Sequence, residues 1–392
     1  MALVAGILVW VVATAARGPV GLRTRLAGRA AVGALWLVTA GIVVRRFIGG
    51  LGAVSGMSDR FPWGIWIGLD VMSGVALAAG GYVVAATVHL FRIRRFTPIL
   101  RPTVLTAFLG YQLVAVALLL DIGRPYRIWH PLVMWQHHSI MFEVAWCVTL
   151  YSSVLALEFS PVVFERLGLD AAARAVHLVT IPLVILGVIL STMHQSSLGS
   201  LFLIMPGKLS PLWYSPLLPV FFLLSSVAVG LAMTVVESSF SGHGAGGRLA
   251  EPLLQELARA MGVVLTLYVL LRLADLTVRG AWGGLGAHPV LGAVLLAELL
   301  AGAALPAWLL ARESVRRDAR RLLGTALLVV GGVVLNRVGV SWLGFIPYSG
   351  QVYIPSWMEV AVTLTFMTGG IAIFAAAVRW LPVYPAAVAS VT

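Results

Sequence analysis

The sequence predicts an all-α integral membrane protein of about ten transmembrane helices, and three observations carry that prediction. Only 11% of its residues are charged and 60% are hydrophobic, whereas a soluble domain carries about 25% charged residues. The apolar runs are about 20 residues long, which is what a helix needs to cross ~30 Å of hydrocarbon. They lack the alternation over about ten residues that marks outer-membrane strands, so helices fit the pattern better than a barrel.

The elements follow in order. Residues 1–29 form an N-terminal segment: Met1 to Ala16 is apolar, has no basic stretch before it and no clear cleavage site, and reads as an extra hydrophobic piece. A polytopic helical domain is expected over 30–392. Its spans are placed near 30–48, 64–91, 102–121, 138–159, 176–203, 216–239, 258–279, 288–311, 319–336 and 357–380. Proline and charge punctuate them at Arg92 to Pro102, Gly123 to Pro131, Pro206 to Pro219, Ser241 to Pro252 and Pro347 to Pro355. The second span carries Gly64/Gly68, Gly74/Ala78 and Gly81/Ala85, small pairs that let another helix approach closely.

Charge sets the expected orientation. Of the 27 Lys and Arg, 18 fall on the side of the N-terminus and eight on the other, with Arg272 inside a span. The positive-inside rule then puts both termini in the cytoplasm. The net charge of +12 belongs to this orientation and not to nucleic-acid binding, because the Arg residues lie between apolar runs. The single Cys147 excludes a disulfide framework, a Cys-ligated iron–sulfur cluster and a Cys-x-x-Cys-His haem site within the chain.

Polar residues inside such spans must face protein, water or a polar ligand, and so mark candidate sites. The densest cluster is Ser191-Thr192-Met193-His194-Gln195-Ser196-Ser197-Leu198-Gly199 at the edge of the fifth span. His194 can take or give a proton near neutral pH and has Gln195 and Ser196 beside it. Glu143 in the fourth span needs a partner or a proton. His137 and His138 are adjacent, so on a helix they point about 100° apart and do not readily serve one ligand. Asp70 follows Trp63 and Trp66; the tryptophans read either as an interfacial belt or as part of a site, and Asp70 needs a cross-helix partner. Asp121 and Arg124 end the third span, either as a structural pair or with Arg124 as a donor to a quinone carbonyl or a docked partner. Tyr111 near mid-depth and Glu237 toward the cytoplasm could extend a proton route from Glu143. Arg272 and Asp275, three apart, are expected to neutralise each other, and Glu298, Arg337 and Glu359 are further intramembrane or interfacial candidates.

Several of these stretches resemble one family. Phe61-Pro62-Trp63-Gly64-Ile65-Trp66-Ile67-Gly68-Leu69-Asp70, Asp121-Ile122-Gly123-Arg124, Phe142-Glu143, Leu157-Glu158-Phe159 and above all Thr192-Met193-His194-Gln195-Ser196-Ser197-Leu198-Gly199 resemble the NrfD/PsrC family. Within it the nearest likeness is to the HybB branch, membrane subunits of periplasmic [NiFe]-hydrogenases. The resemblance runs from about Phe47 to Pro385. It implies two four-helix bundles, about 64–203 and 216–336, with peripheral first and last helices, in a bacterial inner membrane. It implies a haem-free, quinone-reactive subunit of a respiratory oxidoreductase, active only within its complex. Such a subunit exchanges electrons with a periplasmic iron–sulfur partner, and through it with the large and small subunits of a [NiFe]-hydrogenase. It reduces or oxidises menaquinone or ubiquinone, with proton movement coupled to that chemistry. Carried onto matching positions, the resemblance makes His194, Glu143, Tyr111 and Glu237 the reacting set. The quinone head would lie in the outer half of the second to fifth spans, with Trp63, Asp70, Asp121, Arg124, His137, His138, Gln195 and Ser196 as binding candidates. No metal ligands are expected.

Two rivals remain on sequence. A di-haem cytochrome b would use His89 and His177 at one depth and His137, His138 and His194 at the other, but its axial ligation needs two His facing each iron. A secondary transporter of a small anion would call for matching broken helices in the two halves, of which no clear pair is evident.

Overall fold

The computed structural model describes residues 22–61, 63–241 and 251–384, so the apolar piece Met1 to Ala16 lies outside the described residues. Among the described residues, ten segments are long and apolar enough to cross a membrane. They are α1 (Leu26–Gly49), α2 (Trp66–His89), α3 (Arg94–Asp121), α4 (Ile140–Leu167), α5 (Thr180–Ser200), α6 (Leu218–Ser239), α7 (Pro252–Val278), α8 (Pro289–Ala311), α9 (Ala319–Ser349) and α10 (Trp357–Trp380). Hydrocarbon offers the backbone no hydrogen bonds, and a helix supplies all of them from within one segment. The protein is an all-α integral membrane protein. Successive segments alternate in direction, so their ends gather on two faces, called here the Asp121 face and the His89 face.

Contacts group the helices. Among α2 to α5, α2 packs on α3 and α5, and α4 packs on α3 and α5. A second set follows in α6 to α9, where α6 touches α7 and α9, and α8 touches the same two. The sets meet where α6 lies against α2 and α5. Helices α1 and α10 pack on each other and lie over α3 and the start of α2.

Small residues set the closest approaches. A Cβ at Gly81 would stand 2.4 Å from Ala107 Cβ, and one at Gly74 would stand 2.9 Å from Val114, so the small pairs read from sequence seat α3 against α2. Between α8 and α9 the backbones themselves touch: a Cβ at Gly302 would come within 2.4 Å of Gly332 Cα.

Several boundaries differ from the sequence reading, the fourth span for one running on to Leu167, and two of the differences have a clear cause. Helix α3 begins at Arg94 rather than near 102: a 3₁₀ turn over Arg94–Phe96 leads into an α-helix from Thr97, whose first turn holds Pro98, where a missing N–H leaves nothing unpaired. The α9 segment runs past 336 because Arg337 stays inside. Its guanidinium donates to Asn336 Oδ1 (2.6 Å), Ser225 Oγ (2.9 Å) and the Phe222 carbonyl (3.1 Å), and it stacks 3.7 Å from the Phe222 ring centroid. Helix α2 opens as a π-helix over Trp66–Ser73, the widened turn that carries Asp70.

Gly302→Leu should therefore destabilise the protein by about 1–3 kcal/mol through overpacking, read as a lower melting temperature in detergent. Gly33→Leu in α1, where an added Cβ meets nothing within 4 Å, should leave the melting temperature unchanged.

Candidate functional site

The buried face of α5 carries Ser191, His194, Gln195, Ser197 and Leu198, positions that share one side of a helix. That face turns inward among α2, α3 and α4. His194, 1% exposed, places Nδ1 3.1 Å from the hydroxyl of Tyr111 on α3. The Tyr111 ring meets Tyr151 of α4 edge-on, centroids 4.7 Å apart. The Ser191 and Tyr151 hydroxyls are buried and make no hydrogen bond among the described residues. Gln195 donates Nε2 to the Val75 carbonyl at 3.0 Å, pinning α5 to α2, while its Oε1 makes no hydrogen bond among the described residues.

Glu143 joins this cluster from the half-buried edge of α4. Its Oε1 lies 2.6 Å from Ser197 Oγ, and that hydroxyl is also 2.7 Å from the Met193 carbonyl. A serine has one hydrogen and here faces two acceptors. Both contacts reach full strength when Glu143 carries a proton and donates it to Ser197, leaving Ser197 to donate to Met193. The geometry thus provides a seat for a proton at the rim of a buried His–Tyr pair.

A second cluster forms where α1 and α10 cross the Asp121 face. Thr363 of α10 donates to Asp70 Oδ2 at 2.7 Å, the cross-helix partner that Asp70 required. The basic neighbour of Asp121 is Arg46 of α1 and not Arg124, which is exposed. Arg46 spends Nε and Nη2 on the carbonyls of Leu120 (2.7 Å) and Ile122 (2.6 Å), capping the end of α3. Asp121 Oδ1 is left without a hydrogen bond. Glu359 is structural: it accepts from Gly56 N–H and Ser356 N–H, both at 2.8 Å, and from the Tyr353 hydroxyl, fastening the 50–65 segment to the start of α10. Burial, reinforced by Glu359 beside it, pushes the Tyr353 hydroxyl up from its ordinary range, so it stays a donor.

The remaining candidates sit elsewhere. Trp63 packs edge-on against Phe202 and Phe345. His137 and His138 are exposed with Arg124 on the 122–139 connection, where the His137 ring lies edge-on to Trp135 and Phe142. Ser196 bonds back to the Thr192 and Met193 carbonyls of its own helix, so Ser197 takes the place expected of it. Toward the His89 face, Thr106 donates to Glu237 at 2.7 Å. Glu237 does not reach Tyr111, and Gly81 packed on Ala107 closes the narrow cleft between α2, α3 and α6.

The charges of α6 to α9 neutralise one another. Arg272 pairs with Asp275 at 3.4 Å, as their spacing predicts, and Arg279 reaches the same carboxylate at 2.7 Å. Glu298 accepts from Trp213 (3.0 Å) and Asn336 (2.7 Å). No cluster of three or more His, Cys, Asp or Glu fit to hold a metal occurs among the described residues.

With this geometry in view, the comparisons are decisive on family. Residues 53–377 match the family model described as "Polysulphide reductase, NrfD". The chain belongs to the NrfD family. A protein of Nitratidesulfovibrio vulgaris is 42% identical over 353 residues, 87% of this chain and 90% of that one. The "Probable Ni/Fe-hydrogenase 2 b-type cytochrome subunit" of Escherichia coli K12 is 32% identical over 349 residues, 88% and 89% of the two chains. The "Menaquinone reductase, integral membrane subunit" of Nitratidesulfovibrio vulgaris is 27% identical over 368 residues, 86% of each. In this NrfD chain the matched region contains every residue of both polar clusters except Arg46.

Sequence reading missed Tyr151, Thr363 and Arg46, which depend on cross-helix packing, whereas Ser191 and Ser197 lay in the polar block it singled out, three residues either side of His194. Infrared difference spectra should show a protonated-carboxyl band that Glu143→Gln removes and Ser197→Ala shifts. A band indifferent to both substitutions would contradict the proton seat.

Proposed function

We propose that this chain is the quinone-reactive membrane subunit of a hydrogenase-linked respiratory oxidoreductase in a bacterial inner membrane, with its Asp121 face outward and both termini cytoplasmic. One observation carries the reading: within an NrfD chain, a buried His194–Tyr111 pair adjoins a Glu143–Ser197 proton seat at the rim of the same four helices. The relatives named for a Ni/Fe-hydrogenase subunit and a menaquinone reductase subunit support the hydrogenase link and the quinone. The excess of Lys and Arg at the opposite ends of the spans supports the orientation.

The residues present fit a quinone. Gln195 Oε1 and Asp121 Oδ1 are buried polar atoms without hydrogen bonds, and Asp70 and Glu143 are carboxyls at the same depth. When bound, a quinone accepts or releases two electrons together with two protons, so the protein must handle protons next to it. Glu143 holds one and passes it through Ser197. His194, fixed in orientation by Tyr111, offers Nε2 as a second donor or acceptor. Gln195 holds α5 at a fixed distance from α2 and so keeps His194 in register. Glu237 of α6 is a carboxyl toward the cytoplasmic ends of the spans, and a route from Tyr111 to it has to pass Gly81, which packs on Ala107.

Haem fits these residues poorly. The buried His194 ring is edged by Tyr111 at 5.5 Å, and among the described residues no second His is paired with it to complete an axial set. This supports a haem-free chain whose electrons come from a periplasmic iron–sulfur partner. The exposed Arg124, His137, His138 and Trp135 on the 122–139 connection face that partner.

In membranes carrying the assembled complex, His194→Ala and Glu143→Gln should each lower hydrogen-driven quinone reduction about 100-fold, the scale of general acid–base catalysis. Hydrogen oxidation with a soluble dye should stay at the wild-type rate. Wild-type quinone reduction in both variants would overturn the assignment.

A further inference from the structure

The described structure contains an apolar groove of about 460 Å³ outside the eight-helix core. Its walls include Val43 and Phe47 of α1, Val116 and Leu119 of α3, and Val362 and Phe366 of α10. We propose that this groove seats the polyprenyl tail of the quinone, so that α1 and α10 form the tail-binding part of the site. The inference rests on the quinone reading above and extends it to helices that the family resemblance treats as peripheral.

Three features argue for a tail. The groove is built and held open: Thr39 and Thr365 hydrogen-bond at 2.7 Å, and Trp36 Nε1 donates to Thr368 at 3.0 Å, clasping α1 to α10. Because these polar groups satisfy one another, what the groove offers an occupant is hydrocarbon, in the size range of ligand sites.

The groove also reaches helix positions next to those of the second polar cluster. Leu120 and Val362 line it, and the residues that follow them are Asp121 and Thr363. Asp121 is 9% exposed and its Oδ1 is unpartnered, while Thr363 holds Asp70. An apolar chain in the groove would bring its polar end to buried groups that still have a hydrogen bond to make.

The charge at that end selects the head. Asp121 lies beside the buried cation Arg46, two of whose nitrogens are already taken by backbone carbonyls, and Asp70 and Glu359 add two more carboxyls next to Asp121. Such an end disfavours a phosphate and admits a neutral ring bearing carbonyl oxygens. The occupant is therefore a neutral-headed polyprenyl chain and not a phospholipid.

The test uses the full chain in nanodiscs, with binding of a polyprenyl-tailed menaquinone and of tail-less menadione measured by equilibrium dialysis. Ala40→Trp and Val116→Trp each fill the groove from a partly lipid-facing position. In wild type the tailed quinone should bind more tightly than menadione. Both variants should weaken the tailed quinone about tenfold, about 1.4 kcal/mol, with menadione affinity and melting temperature unchanged. Equal binding of both quinones in wild type, or variants without effect on the tailed one, would overturn the tail groove and leave the quinone reading standing. Loss of menadione binding in a variant that melts normally would also overturn it, making the groove the head site. A phospholipid that co-purifies with wild type and is lost from the variants would assign the groove to lipid. Wild type that binds neither quinone would overturn the quinone reading and this inference with it.

Discussion

In hydrocarbon an unpaired polar group costs several kcal/mol, and that constraint dictates where this chain puts its charges. Its most economical expression is the hydrogen bond from Gln195 to the Val75 carbonyl. It ties α5 to α2 and helps hold His194 against Tyr111, so an otherwise apolar four-helix set acquires a buried polar pair. The same rule explains the satisfied network around Glu298, Asn336 and Arg337 in the other four helices. There most strong donors have found acceptors, although Arg337 Nε and Arg272 Nε make no hydrogen bond among the described residues. Buried polar atoms without hydrogen bonds also occur in α2 to α5, among them Gln195 Oε1, Ser191 Oγ and the Tyr151 hydroxyl.

The sequence made the membrane architecture legible because long apolar runs and the proline-rich breaks between them are one-dimensional signals. Spans such as Ile140–Leu167 and Trp357–Trp380 begin within two residues of the expected positions. It also exposed the His194 block, since polar residues inside an apolar run stand out without any knowledge of packing. Pairings across helices were not legible. Asp70 visibly lacked a neighbour, but Thr363 is 293 positions away and unremarkable in sequence. Arg46, near the end of an apolar run, looked like an orienting charge until it met the last carbonyls of α3.

Sequence depth also misleads about direction. Arg124, His137 and His138 share the level of Asp121, yet they occupy an exposed connection, because level along the membrane normal says nothing about inward or outward facing. Ser196 and Ser197 show the same limit at finer grain: one residue is about 100° around a helix, and only Ser197 meets Glu143. Tyr151 was invisible for another reason, since a tyrosine in a span reads as ordinary packing.

The most direct test of the central claim is a visible redox spectrum of the detergent-purified chain, with bound quinone extracted and quantified from the same sample. The account predicts quinone in the extract and no haem absorption in either oxidation state. Haem bands with no quinone would contradict it, and would turn His194 and the other histidines into candidate iron ligands.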